Sequence, residues 1–174
     1  ECFVDYSNHD IVFFATIGGY FARSVNGGQS WGLVVDPITL NDSSAFLCPY
    51  WQHPTNPEVI YGCLKQKLYK STDKGLTWAY TTPLPIVGSA IYSAAQSPVV
   101  PNNLMVAARN GEKSLVRSLD GGTSWDDITH NLGAVAGGNF MRLQADPFDG
   151  NTFYLLKNAY SGAIVIKTTD FGVT

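Results

Sequence analysis

Charge is what this sequence has least of. Asp, Glu, Lys and Arg make up only 14% of its 174 residues, the net charge is −3 at pH 7, and the 11 basic residues are scattered. A nucleic-acid face needs clustered positive charge, so no nucleic acid is expected as a partner. Apolar runs are short too. Nothing approaches the roughly 18 unbroken apolar residues of a membrane helix, so no membrane span is expected. Three histidines, His9, His53 and His130, lie far apart with no Cys or His at zinc spacing. Neither a metal nor a cofactor is expected. Three cysteines, Cys2, Cys48 and Cys63, are an odd number and give no disulfide framework. What remains is abundant: 45% hydrophobic residues, 13% aromatics and 17 glycines, enough for a globular chain with a substantial core.

One phrase recurs four times. It reads Ser24-Val25-Asn26-Gly27-Gly28-Gln29-Ser30-Trp31, then Ser71-Thr72-Asp73-Lys74-Gly75-Leu76-Thr77-Trp78, then Ser118-Leu119-Asp120-Gly121-Gly122-Thr123-Ser124-Trp125, and finally Thr168-Thr169-Asp170-Phe171-Gly172-Val173-Thr174. The copies start at 24, 71, 118 and 168, at intervals of 47, 47 and 50 residues, a period that marks one supersecondary unit repeated. Each residue type has a physical task. Asp or Asn bonds to amides ahead of it and closes a turn, with Ser or Thr doing so more weakly. Glycine two places after the acid suits positive φ. Tryptophan then opens a strand and adds a large apolar surface whose N–H needs one partner.

Pattern and spacing together resemble the Asp-box, or bacterial neuraminidase repeat, of β-propellers such as sialidases, xyloglucan-degrading glucanases, sortilin-type receptors and photosystem II assembly factors. The resemblance implies an all-β chain of about four four-stranded antiparallel blades, near 1–36, 44–82, 89–129 and 139–174, forming one partial propeller over 1–174. The box lies at the corner between the third and fourth strands of each blade. Because residue 174 falls one place before the expected fourth tryptophan, the last blade is expected to be incomplete. Further blades of a longer chain are then expected as partners.

A second recurring turn supports the same period. His53-Pro54-Thr55-Asn56-Pro57, Ser97-Pro98-Val99-Val100-Pro101-Asn102 and Asp146-Pro147-Phe148-Asp149-Gly150-Asn151 each precede a β-rich run, as Asp5 to Asp10 does in the first unit. In the second unit this places strands A to D near 44–51, 58–64, 66–71 and 77–82. A basic residue closes each third strand, at Arg23, Lys70, Arg117 and Lys167. Its recurrence reads as a solvated strand position. Cys48 and Cys63 fall on adjacent strands where the repeat favours apolar or small residues, so buried free thiols are expected.

Up-and-down connectivity puts the A–B turns and the boxes on one face, and the D–A and B–C connections on the other. The acids Asp73, Asp120 and Asp170 recur in register with a turn to satisfy, so they read as structural. The opposite connections differ from unit to unit, and such loops on a repeated scaffold are where binding is expected. The candidates there are Asp36, Asp42, Arg109, Glu112, His130 and Tyr160. Acids and an arginine suit sugar hydroxyls, and a tyrosine ring offers a stacking face.

Glycoside hydrolysis needs two carboxylates about 5 to 10 Å apart. Asp36, Asp42 and Glu112 are the acids in the expected loops, and none has a recognisable catalytic context. Sialidases also cluster arginines on the substrate carboxylate, but Arg23 and Arg117 belong to the repeat and the Arg-Ile-Pro motif is missing. Asp146 to Asn151 has a superficial likeness to a calcium loop without its distal Glu, and a turn is expected instead. The resemblance therefore implies an extracellular or cell-surface scaffold that binds a polysaccharide or a protein. The alternative is part of a glycoside hydrolase, more xyloglucanase-like than sialidase-like, with its carboxylates partly outside this segment.

Overall fold

The computed structural model describes residues 1–35, 48–86, 90–110, 112–136, 139–158 and 164–173. Among these residues the strands form four antiparallel meanders. The first comprises β1 (Cys2–Val4), β2 (Val12–Ala15), β3 (Phe21–Ser24) and β4 (Gly32–Val35). The second comprises β5 (Tyr50–Gln52), β6 (Ile60–Leu64), β7 (Lys67–Ser71) and β8 (Ala79–Tyr80). The third comprises β9 (Ala90–Gln96), β10 (Leu104–Asn110), β11 (Glu112–Ser118) and β12 (Asp126–Asp127), and the fourth β13 (Asn139–Ala145), β14 (Phe153–Asn158) and β15 (Val165–Thr168). The only helical segments described are 3-10, at Ile17–Gly19 and Thr129–Ala136. The chain is a partial β-propeller, and its fourth blade shows three strands among the described residues. In the second blade the fourth strand is two residues long, where 77–82 was expected, and residues 44–47 of the expected first strand lie outside the described residues.

The recurrent turn is one hydrogen-bonded design made four times. The Ser or Thr hydroxyl sits at its centre, accepting the Gly28, Gly75, Gly122 and Gly172 amides at 2.9, 2.8, 2.8 and 2.7 Å. That hydroxyl donates to Asn26, Asp73, Asp120 or Asp170 at 2.9, 2.7, 2.8 and 2.7 Å. The expected positive φ of the glycine, at 89°, 83°, 93° and 77°, is accompanied by a second left-handed residue just before it: Gly27, Lys74, Gly121 and Phe171, at 67°, 56°, 71° and 57°. Two such residues in succession reverse the chain tightly. The amide of this extra residue donates to Asp10, Glu58, Asn102 or Asn151 in the A–B turn of the same blade, at 2.9, 2.9, 3.0 and 2.8 Å. Both turns therefore share one face and are tied together there.

Packing runs in one direction. Phe13 and Phe21 of the first sheet meet Tyr50, Ile60, Leu64 and Tyr69 of the second. Tyr61 and Leu68 meet Leu104, Val106 and Val116 of the third, and Met105 and Leu115 meet Phe140, Leu143 and Phe153 of the fourth. Every residue of β6 is buried because a blade covers each face, whereas β15 has no fully buried residue. From the second copy on, each turn seats on the preceding blade. A Cβ at Gly75 would lie 3.4 Å from Phe13, and one at Gly122 would lie 2.5 Å from Leu68. The tryptophans follow suit, with Trp78 edge-on to Phe21 at 5.6 Å and Trp125 packed on the Leu68 cluster, while Trp31 is 43% exposed. Their N–H groups donate to Gly28, Gly75 and Gly122 carbonyls at 3.0, 2.9 and 3.2 Å.

The recurrent basic residue is not the solvated position expected from its periodicity. Arg23, Lys70 and Arg117 are half-buried. Arg117 shows the cause, since its Nη1 donates to the Phe171 carbonyl of the next blade at 2.8 Å and its guanidinium lies 5.7 Å from the Phe171 ring. Lys167 is exposed, on the outer face of the fourth sheet. Cys48 and Cys63 are buried thiols that form no disulfide, Cys48 in the core between the first and second blades and Cys63 in the core between the second and third.

The turn acids predict an acid-sensitive fold. Burial works to raise the Asp73 carboxyl, but the hydroxyl and amide of Thr77 and the Ser71 hydroxyl outweigh it and hold it at about 2. The Ser124 hydroxyl and amide do most of this for Asp120, also at about 2. A carboxyl harder to protonate in the fold than in the unfolded chain stabilises the fold above its ordinary value and loses that contribution below it. Melting temperature should therefore fall as pH drops from 3.8 towards 2. Asp73→Asn with Asp120→Asn should flatten that limb, since Asn26 already builds the same turn without a charge, accepting the Ser30 amide at 2.9 Å. A limb of unchanged steepness in the double variant would place the acid sensitivity elsewhere.

Candidate functional site

The face carrying the boxes has its polar groups engaged. Asp73 and Asp120 accept hydroxyls and amides from their own turns, Thr77 Oγ1 at 2.5 Å and Ser124 Oγ at 2.6 Å among them. The A–B turns are capped in the same manner. His53 Nδ1 accepts the Thr55 and Asn56 amides at 3.2 and 3.1 Å, Ser97 Oγ accepts the Val99 and Val100 amides at 3.2 and 3.0 Å, and Asp146 Oδ1 accepts the Phe148 and Asp149 amides at 2.9 and 3.2 Å. The stretch with a superficial calcium-loop likeness is thus a turn. Asp149 completes it, accepting the Asn151 amide at 3.0 Å and the Thr152 hydroxyl at 2.7 Å. Its carboxyl, like that of Asp146, is held below the usual range chiefly by these amides.

On the opposite face, topology places three of the six candidates at one end of the third blade. Arg109 and Glu112 lie at the facing ends of β10 and β11, where Arg109 pairs with Lys113 and Glu112 with Asn110. They occupy strand ends of a tight hairpin. His130 is exposed and belongs to the 3-10 segment Thr129–Ala136, where a plain loop was expected. Asp36, Asp42 and Tyr160 lie outside the described residues.

Two of the D–A connections also contribute to the core. Leu84 and Ile86 of one, and Leu132 of another, are buried between blades. Leu84 and Ile86, two places apart beside prolines, were the available signal.

The inner strands β1, β5, β9 and β13 bound a groove of about 740 Å3 with no counterpart among the expected site residues. Glu1, Gln52, Tyr92, Gln96, Arg142 and Gln144 line it. Much of this polarity is already used. Glu1 Oε2 accepts the Tyr50 amide at 3.1 Å, Gln96 Oε1 accepts the Trp51 indole N–H at 2.9 Å, and Gln52 and Gln96 donate to the Pro57 and Pro101 carbonyls at 2.9 and 2.7 Å. The Glu1–Tyr50 and Gln96–Trp51 bonds join neighbouring blades, and the two glutamine-to-proline bonds close turns within a blade. Among the described residues no three of His, Cys, Asp and Glu converge as a metal site would require.

No family model matches the chain, and no curated protein matches it. Solved structures do. An ancestral GH74 enzyme is 21% identical with a TM-score of 0.73, over 99% of this chain and 23% of its own. An auxiliary nutrient binding protein from Bacteroides thetaiotaomicron is 14% identical with a TM-score of 0.60, over 90% of this chain and 35% of its own. YCF48 from Cyanidioschyzon merolae is 14% identical with a TM-score of 0.56, over 95% of this chain and 54% of its own. The chain thus spans under a quarter of the length of the GH74 enzyme it matches. At these identities the likeness establishes the propeller fold, a scaffold on which unrelated activities are carried.

Proposed function

We propose that this chain is an Asp-box propeller segment of a secreted or cell-surface protein, forming one unit over 1–174 and binding a glycan or a protein ligand through its D–A and B–C face. The observation carrying the reading is the asymmetry between faces. Boxes and A–B turns hydrogen-bond to each other in all four copies, so ligand chemistry falls to the face whose connections differ between blades. Asp36, Asp42, Arg109, Glu112, His130 and Tyr160 are the candidate contacts, and the remaining blades of a longer chain are the structural partners.

A second reading, part of a glycoside hydrolase of GH74 kind, draws support from the alignment of nearly the whole chain with such an enzyme. Both readings meet in one experiment. Residues 1–174 are titrated with xyloglucan, other β-glucans and sialosides, and product formation is followed in parallel. Binding without turnover, weakened at least about tenfold by alanine at the six positions, is the expected result. Binding that survives those changes and is lost on altering the A–B turns would place the ligand on the wrong face. Turnover abolished by Asp36→Asn or Asp42→Asn, with the fold intact, would replace the scaffold reading by the hydrolase.

A further inference from the structure

The A–B turn opens on an equivalent position in all four blades. The amides of Asp5, His53, Ser97 and Asp146 donate to the carbonyls of Ile11, Val59, Asn103 and Thr152, at 2.9 Å in every case. Each side chain then folds forward to accept amides of its own turn. Asp5 Oδ1 takes that of Ser7 at 2.7 Å, Ser97 Oγ takes those of Val99 and Val100, and Asp146 Oδ1 takes those of Phe148 and Asp149. His53 does the same through Nδ1, from Thr55 and Asn56 at 3.2 and 3.1 Å. An imidazole nitrogen accepts only while it carries no proton, so the neutral ring holds its proton on Nε2. Of the four acceptors, this one alone is of a type that becomes a donor near neutral pH.

Two further observations agree. The His53 ring is half-buried over Tyr61 of β6, with centroids 6.3 Å apart and planes at 28°. Lys70 of β7 shares that tyrosine, its Nζ 5.5 Å from the ring centroid. Among the described residues no carboxylate pairs with His53, and Glu58 of the same turn reaches Lys74 Nζ at 3.6 Å instead. Burial and the Lys70 charge both oppose an imidazolium and hold His53 below its ordinary value. The second observation is what hangs from this acceptor. Asn56 gives its amide to His53, while its Oδ1 accepts the Glu58 amide at 3.1 Å and its carbonyl the Val59 amide at 3.1 Å. The Glu58 carbonyl in turn accepts the Lys74 amide at 2.9 Å, the tie between this turn and the box.

We infer that His53 is a proton switch built into the second blade. A proton taken from water onto Nδ1 sets an N–H against the Thr55 and Asn56 amides, opens this A–B turn and slackens its tie to the box, while the other three turns stay closed. A histidine harder to protonate in the fold than in the unfolded chain adds stability above 6.5, and that contribution is lost as pH falls below it. The transition is separate from that of Asp73 and Asp120, which are held at about 2. The inference rests on the fold alone and is independent of any ligand on the opposite face.

The test follows residues 1–174 by nuclear magnetic resonance from about pH 7.5 to about pH 5, either side of the ordinary histidine value. The His53 ring nitrogens should pass from one proton to two. In step with them, the exchange protection of the Thr55, Asn56 and Lys74 amides, corrected for the intrinsic rate at each pH, should fall at least about fivefold, the loss of one ordinary hydrogen bond. The Val99, Val100, Phe148 and Asp149 amides should keep theirs. His53→Ser, which copies Ser97, should hold the turn closed throughout. If that variant fails to fold, His53→Asp, which copies Asp146, replaces it. Unchanged protection at Thr55 and Asn56 while the ring titrates, a ring still neutral at about pH 5, or the same fall in the serine or aspartate variant would overturn the switch. Protection retained at Lys74 alone would overturn its reach to the box.

Discussion

Phe21→Ala should destabilise the protein by about 3–5 kcal/mol, the range for removing a buried aromatic. Phe21 has no exposed surface and sits in the cluster that joins the first two blades. Its ring stacks on Phe13 at 5.5 Å and on Tyr50 at 4.2 Å, and receives the edge of Trp78 at 5.6 Å. Truncation leaves a cavity that three rigid rings cannot close. Urea denaturation followed by tryptophan fluorescence reads the loss directly. A change below about 1 kcal/mol would mean that the first and second blades are held together by other contacts.

Lys74→Met should cost about 3 kcal/mol, because it strands a buried carboxylate. Lys74 Nζ reaches back from the second blade to Asp5 Oδ2 at 3.0 Å and Ser7 Oγ at 3.0 Å, and the Asp5 side chain is fully buried. Burial would raise the Asp5 carboxyl, but the Ser7 hydroxyl and amide, Gln52 and Lys74 together hold it well below the usual range. Methionine keeps the stem and the same backbone at φ 56°, so the substitution isolates the charge. Asp5→Ala should cost less, since Lys74 retains Glu58 at 3.6 Å and some solvent. The double variant should resemble Asp5→Ala alone. A double variant as unstable as the sum of the singles would show that the two residues act separately.

How far the sequence discloses this molecule depends on whether a residue answers to its own turn or to the next blade. The box was legible because Ser118, Asp120 and Gly122 act within five residues of one another, and spacing records such local bonds. The second left-handed position was half-written in Gly27-Gly28 and Gly121-Gly122, then disguised by Lys74 and Phe171. Those two side chains reach the neighbouring blade, the Lys74 ammonium to Asp5 and the Phe171 ring to the Arg117 guanidinium. Recurrence could not distinguish an arginine facing water from one facing the next blade, which is why Arg117 was misread. The face proposed for binding is the least legible, because its D–A and B–C connections are the part of the sequence that does not repeat.

Because the second, third and fourth boxes each seat on the blade before them, as Gly75 does on Phe13, Gly122 on Leu68 and Gly172 on Met105, the order of assembly is written into the contacts. A nascent chain leaves the ribosome from its N-terminus, and domains consolidate in that order. Each of these three boxes meets a docking surface that has already emerged. Such a stack can tighten one blade at a time during synthesis, with none of the three waiting for the surface it seats on.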